Sequence, residues 1–202
     1  MQTHELEKLA EAVLGRLFVP LEASGRHVHV TKEQAVALFG HSLTPQRDLS
    51  QPGQYLAWER VTVVGPKGEF RNVAVLGPER KVAQVEISLT DGRTLGIDPP
   101  VRLSGDVKNS PGCTLVGPAG QVKLTEGVIC AKRHIHLTPE EGRRFLVADR
   151  QVVKLQVFTG RPVIFEDVVV RISGDFAPAV HLDYDEANAC GFRKGDFGRI
   201  LS

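Results

Sequence analysis

The sequence predicts a mainly β protein of two small closed β-barrels capped by short α-helices, with an amphipathic helix at the N-terminus. Three observations lead to this prediction. Much of the chain alternates apolar and polar residues between turns, and 20 Gly and 12 Pro residues are available to make those turns. The hexapeptide RHVHVT at 26–31 returns as RHIHLT at 133–138, and each copy precedes a segment of helical character. Closing each sheet into a barrel leaves no unpaired strand edge.

Composition excludes several classes of protein. The 202 residues suffice for one large domain or two small ones, and 42% hydrophobic with 24% charged residues is ordinary for a globular protein. A net charge of +1, without a basic stripe, argues against nucleic-acid binding. No apolar run reaches membrane-spanning length. Three cysteines without close spacing argue against a disulfide framework, so we expect a cytoplasmic protein.

The N-terminal segment, residues 1–19, predicts an amphipathic helix. Over 4–18, HELEKLAEAVLGRLF, apolar residues recur every three or four positions and charges occupy the other face. Pro20 ends the pattern. Such a helix either packs on its own domain or serves as a detachable interaction element.

Hairpins and short helices account for most of the remaining chain. Alternating apolar residues around turn sequences predict β-hairpins within 60–77, 113–131 and 151–173. Helices are predicted at 31–40, 138–147 and 185–191. The first two begin with Thr31 and Thr138 as N-caps and have acidic residues in their first turns.

Each hexapeptide contains a His-x-His pair, His27 with His29 and His134 with His136. On a strand, residues i and i+2 project from the same face about 7 Å apart, so two imidazoles can converge on one metal ion. A single pair of this kind is often a coincidence. Two pairs in equivalent contexts favour metal binding.

Several other residues could take part in binding or catalysis, and each also has a purely structural interpretation. A catalytic metal site needs a third protein ligand, and His181 is the best remaining histidine. Asp183 is either a ligand or a turn residue, and Glu86 lies either on a solvated strand face or in a metal site. Arg80, after a Gly-Pro turn, is either solvent-facing or a phosphate clamp.

Motifs for covalent and ATP-dependent catalysis are missing from the sequence. It contains neither G-x-S-x-G nor the P-loop pattern. The cysteines lie in apolar stretches without a local motif that supplies a base, so we expect inert, buried thiols.

Several stretches together make the chain resemble the PduL-type phosphate propanoyltransferases, the phosphotransacylases associated with bacterial microcompartments. The resemblance runs in order from about residue 20 to 190. The stretches that carry it are GRHVHVT, LSQPGQYLAWERVTVVGPKG, NVAVLGPERKVAQVEIS, SGDVKNSPG, TLVGPAGQVKL, AKRHIHLTPEE and HLDYDEANA.

The resemblance implies a division into domains. Residues 27–132 would form the barrel with the first metal half-site, and residues 20–26 with 133–202 the barrel with the second. In this family an N-terminal extension of this kind looks like an encapsulation peptide, so residues 1–18 would bind shell proteins inside a cytoplasmic microcompartment. A homo-oligomer is compatible with the resemblance.

The resemblance also implies a site with two zinc ions between the barrels. His27, His29 and Glu86 would hold the first ion, whose open position takes the sulfur of coenzyme A, and Arg80 would bind phosphate. The second ion would be held by the remaining three histidines of the set, His134, His136 and His181. The residues that bind the nucleotide of coenzyme A are not identified.

The implied reaction is reversible transfer of a short acyl chain, propanoyl or acetyl, from coenzyme A to inorganic phosphate. We expect direct attack of phosphate on the thioester. Two other interpretations use the same ligands: a two-metal hydrolase of a thioester or phosphoester, and a metal-binding β-barrel module without catalytic activity.

Overall fold

The structure, a computed structural model, describes Val13 and residues 17–201. Within these residues the strands are β1 (Val19–Ser24), β2 (His27–His29), β3 (Pro45–Asp48), β4 (Tyr55–Val64), β5 (Glu69–Gly77), β6 (Gln84–Glu86), β7 (Val101–Arg102), β8 (Thr114–Val116), β9 (Gln121–Lys123), β10 (Val128–Ala131), β11 (His134–Leu137), β12 (Val152–Phe158), β13 (Ile164–Ile172), β14 (Ala179–Asp183) and β15 (Phe197–Leu201). The helices are α1 (Lys32–Phe39), α2 (Leu89–Leu95), α3 (Pro139–Phe145) and α4 (Tyr184–Cys190). None of these is long and apolar enough to cross a membrane. The N-terminal helix predicted over 4–18 falls mostly outside the described residues.

The chain divides into two compact units. Among the described residues, the first contains 17–23, 133–182 and 186–201, and the second contains 24–132 and 183–185. Strands dominate both units, so the predicted mainly β fold with short helices is confirmed.

The first unit is a closed barrel of six strands in the order β1-β14-β11-β13-β12-β15, with β15 paired back to β1. Its interior is filled by apolar side chains that alternate with outward-facing residues along each strand. Buried residues of this core include Ile135, Leu137, Leu155, Val170 and Leu182.

The second unit is a nine-stranded sheet. Eight strands follow the order β7-β10-β6-β2-β5-β4-β8-β9, and β3 pairs with β4 beside this path. Within the described residues this sheet is curled without being a closed ring, which differs from the second closed barrel expected from the sequence. The end strands are short, two residues in β7 and three in β9, and therefore expose little unpaired backbone.

The duplicated hexapeptide marks a duplicated arrangement of strands. β2 lies between a parallel neighbour, β5, and an antiparallel neighbour, β6. β11 likewise lies between parallel β13 and antiparallel β14. In each unit a hairpin, β4–β5 or β12–β13, intervenes in the chain between the His-x-His strand and its antiparallel neighbour.

The local predictions are largely confirmed. β8–β9 and β12–β13 are antiparallel hairpins within their predicted ranges, and β4–β5 is an antiparallel hairpin that begins at Tyr55, five residues before its predicted range. Helices α1, α3 and α4 lie where predicted, and Thr31 and Thr138 cap the first two through complete capping boxes. Helix α2 was not predicted, although its cap, Ser88 with Asp91 three residues later, has the sequence signature of a capping box.

Candidate metal centre

His27, His29 and Glu86 form a first cluster inside the second unit, with ligand atoms all within 4.8 Å of one another. Strand register brings them together, because His27 on β2 lies directly opposite Glu86 on antiparallel β6. The three side chains are buried, whereas Val28 between the histidines packs into the apolar core on the other face. His27 Nε2 lies 3.6 Å from Oε1 of Glu86.

Backbone carbonyls orient both histidine rings. His27 Nδ1 lies 2.8 Å from the carbonyl oxygen of Gly25, and His29 Nδ1 lies 3.1 Å from that of Leu76. Because a carbonyl oxygen only accepts, each Nδ1 must carry the hydrogen. The lone pair of each neutral ring is then on Nε2, which is the usual arrangement in a metal-binding histidine.

Two polar side chains hold the carboxylate of Glu86. The amide nitrogen of Gln84 donates to Oε1 at 2.5 Å, and the hydroxyl of Ser104 donates to the same oxygen at 3.0 Å. The amide oxygen of Gln84 accepts from the backbone N–H of Gly105 at 2.7 Å. Gln84 is therefore fixed at both ends of its amide, and the carboxylate it holds has a defined direction.

Burial and mutual charge set the protonation of this cluster. Burial lowers the pKa of His29 to about 2, so that ring is neutral. Burial also disfavours a charge on His27, but the carboxylate of Glu86 outweighs it and raises the pKa of His27. Burial would raise the pKa of Glu86, yet the positive charge of protonated His27 holds that pKa well below its usual range.

His134, His136 and His181 form a second cluster inside the barrel unit, again with ligand atoms within 4.8 Å of one another. His134 on β11 lies opposite His181 on antiparallel β14. The ring of His136 stacks on Phe176, with centroids 3.9 Å apart, and burial lowers the pKa of His136 to about 2. His181 Nδ1 lies 3.7 Å from a carboxylate oxygen of Glu22.

The two clusters fit divalent metal ions by their donor sets. Tetrahedral ligands about 2 Å from zinc lie about 3.3 Å apart, close to the 3.6 Å between His27 Nε2 and Glu86 Oε1. In the second cluster the Nε2 atoms of His136 and His181 are buried and make no hydrogen bond with described residues, although both rings have other contacts. Three protein ligands per cluster leave a coordination position for substrate or water.

Arg80 and Asp183, two further residues singled out in the sequence, lie outside the two clusters. Arg80 is half-buried, its backbone N–H donates to the carbonyl of Val30, and its positive charge disfavours protonation of His27 and His29. Asp183 accepts a hydrogen bond from the thiol of Cys130 at 3.1 Å. The structure thus places an acidic group beside a buried cysteine, a pairing that sequence motifs did not indicate.

Sequence reasoning missed three supporting residues. Gln84 could have been found, because it lies two residues before Glu86 and so on the same face of the strand. Ser104 and Glu22 had no sequence signal, since each reaches its partner from a distant part of the chain. All six predicted metal ligands lie in the two clusters.

Comparison with known proteins identifies the family of this chain. The model of the phosphate propanoyltransferase family matches residues 20–193. Relatives carrying that name include proteins from Listeria monocytogenes, 52% identical over 98% of this chain and 94% of the relative, and Enterococcus faecalis, 55% identical over 90% and 87%. A third, from Thermotoga maritima, is 46% identical over 98% of this chain and 96% of the relative. The chain therefore belongs to the phosphate propanoyltransferase family, a family of acyltransferase enzymes.

Proposed function

We propose that this enzyme transfers a short acyl group, propanoyl or acetyl, reversibly between coenzyme A and inorganic phosphate. The family match supplies the reaction class. The observation that carries the proposal is the convergence of six predicted ligands into two triads, with the charge of Arg80 acting on the first. We further propose that each triad holds a zinc ion.

Divalent ions in these triads would stabilise the thiolate of coenzyme A and neutralise phosphate. Within the chain, the carbonyls of Gly25 and Leu76 orient the imidazoles, and Gln84 with Ser104 orients Glu86. Arg80 supports phosphate binding, because its planar guanidinium matches two phosphate oxygens at once. Positioning of this kind makes attack within the complex effectively unimolecular.

The proposed chemical step is direct. An oxygen of phosphate attacks the thioester carbonyl, the carbon–sulfur bond breaks, and the thiolate leaves as an acyl phosphate forms. The cysteines support a route without an acyl-enzyme: Cys113, Cys130 and Cys190 are at most 7% exposed. Burial raises the pKa of Cys113 to about 12, so its thiolate is scarce.

Cys130 is the one cysteine that the structure favours as a covalent alternative, because Asp183 accepts its hydrogen bond. Mass spectrometry of enzyme quenched during turnover tests this alternative. We expect no added acyl mass and a Cys130→Ala variant that retains turnover. An acyl group on Cys130 would reject direct attack.

The function itself is tested by release of free thiol from acyl-coenzyme A across acyl chain lengths, with metal content measured on the same sample. We expect release that requires phosphate and is fastest with two or three acyl carbons. Thiol release without phosphate, with phosphate acting as an inhibitor, would indicate a two-metal hydrolase. Metal binding without turnover would indicate a non-catalytic module.

Arg80→Ala separates these possibilities further. Loss of phosphate-dependent turnover is expected with metal content intact, because Arg80 is not among the six predicted ligands. Arg71→Ala is a matched control, since Arg71 is exposed and pairs with Glu69 on the surface. Unchanged turnover in Arg80→Ala would count against the transferase.

We also propose that residues 1–18 bind shell proteins and place the enzyme in a microcompartment. The amphipathic pattern of the sequence and the family resemblance support this proposal. A variant lacking residues 1–18 should keep its turnover and lose co-purification with shells. Continued entry into shells would refute the targeting role.

A further inference from the structure

The chain contains two tyrosines, and each lies against a glycine that belongs to a peptide whose carbonyl oxygen contacts a histidine of the first cluster. Tyr55 begins β4 and is the cross-strand partner of Gly77 on β5. Tyr184 begins α4 and lies against Gly25, just before β2. Glycine has the freest backbone of any residue, so a peptide beside glycine keeps a fixed direction only if its surroundings restrain it.

The ring of Tyr55 lies over Gly77. Gly77 follows Leu76, whose carbonyl group orients His29. A Cβ atom added to Gly77 would overlap the ring of Tyr55, so the ring occupies the space of a side chain. The peptide bond that enters Gly77 contains the carbonyl of Leu76, whose oxygen lies 3.1 Å from His29 Nδ1. Tyr55 itself packs against the apolar core of the sheet, and this contact restricts movement of the ring.

Tyr184 makes the equivalent contact beside His27. A Cβ atom added to Gly25 would lie 2.6 Å from Cζ of Tyr184. The carbonyl oxygen of Gly25 lies 2.8 Å from His27 Nδ1. Neither Gly25 nor Gly77 has a positive φ, so backbone conformation alone does not require glycine at either place. Glycine is required at both places because a tyrosine ring occupies the space of a side chain.

We propose that Tyr55 and Tyr184 are positioning residues for the first metal site. Each ring restrains the peptide whose carbonyl accepts from Nδ1 of a ligand histidine, and thereby keeps the hydrogen on Nδ1 and directs Nε2 into the cluster. Groups that orient a ligand histidine commonly contribute 10- to 100-fold to metal affinity. The inference rests on the proposed metal binding by His27, His29 and Glu86.

Zinc affinity of the first site tests the inference, measured by competition with a chromophoric chelator. A His136→Ala/His181→Ala background restricts the titration to that site. Tyr55→Ala and Tyr184→Ala should each weaken zinc binding by about 10- to 100-fold. Tyr55→Phe and Tyr184→Phe should stay within about twofold of the parent, because the ring remains. Gly77→Ala should also weaken zinc binding, because the added methyl group would collide with the ring of Tyr55 and displace it.

A second measurement separates positioning from general stability. Proton–nitrogen spectra of the histidine-labelled, metal-free protein distinguish the two imidazole tautomers. We expect His29 to lose its single Nδ1–H tautomer in Tyr55→Ala and keep it in Tyr55→Phe. Gly174→Ala is the control, since a Cβ atom there meets nothing within 4 Å.

Two results are decisive in different ways. Folded Tyr55→Ala and Tyr184→Ala proteins with unchanged zinc affinity and unchanged tautomers would overturn this inference and leave the proposed function intact. Failure of the parent protein to bind zinc would instead reject the metal site, and the tautomer spectra would still show whether the tyrosines hold the histidines.

Discussion

Replacement of Gln84 by alanine should weaken metal binding at the first cluster by about 10- to 100-fold. Gln84 is 2% exposed and donates to Oε1 of Glu86 at 2.5 Å. Alanine removes this donor and leaves Ser104 as the remaining described side chain that donates to the same oxygen. The carboxylate then loses part of the restraint that directs it toward the ion.

The magnitude follows from the kind of hydrogen bond that is lost. A hydrogen bond to a charged group contributes roughly 1.5–3 kcal/mol, and 1.4 kcal/mol corresponds to a factor of ten in affinity. The backbone N–H of Gly105 also loses its acceptor, the amide oxygen of Gln84. Gly105 is exposed and water can replace this acceptor, but truncation of the buried Gln84 side chain should still lower the urea concentration at which the variant unfolds.

Titration of the metal-free variant with zinc against a competing chelator measures the affinity, and urea denaturation followed by circular dichroism measures the stability. Gln121→Ala is the matched control, because Gln121 is exposed on β9 of the same unit. Wild-type zinc affinity in a folded Gln84→Ala protein would show that Gln84 does not orient Glu86, and would refute the reasoning.

Three further predictions concern other parts of the chain. Glu22→Gln should weaken zinc binding at the second cluster in the same titration, because it removes the negative charge 3.7 Å from His181 Nδ1. The carboxylate is one-third exposed, so we expect a loss of about tenfold, and affinity equal to wild type would contradict this prediction. Cys113 should resist iodoacetamide at pH 8 in the native protein and react in denaturant, since a pKa of about 12 leaves roughly one thiol in 10⁴ ionised. Rapid labelling of the native protein, detected by mass spectrometry, would contradict the burial of this thiol. Ile135→Ala, at a fully buried core position of the barrel, should lower the free energy of unfolding in urea by about 2–5 kcal/mol, whereas exposed Val152→Ala should change it by less than about 0.5 kcal/mol; similar losses in both would contradict the assignment of the core.

Contacts from neighbouring residues orient the side chains of both clusters. In the second unit, backbone carbonyls fix the tautomers of His27 and His29, and an amide with a hydroxyl fixes Glu86. In the barrel unit, Glu22 lies beside His181. These partners decide where each lone pair points, and affinity for a metal ion depends on that direction as well as on ligand identity.

Local sequence patterns suffice to predict the two histidine pairs and most of the helices and hairpins. Strand periodicity places His27 with His29, and His134 with His136, on one face whatever the strand pairs with. Thr31 and Thr138 indicate where their helices begin, because a capping box is formed by contacts within four consecutive residues. Ser88 and Asp91 form the same kind of local contact at the start of helix α2. Family resemblance, and not periodicity, indicated Glu86 and His181.

Only the tertiary structure decided how those pairs become triads. Glu86 meets His27, and His181 meets His134, through cross-strand register, which depends on how distant segments align. His29 finds its carbonyl 47 residues away, a separation that no local pattern encodes. One sheet closes into a barrel and the other remains an open, curled sheet within the described residues, because closure depends on the pairing of the end strands and not on the alternation within any one of them.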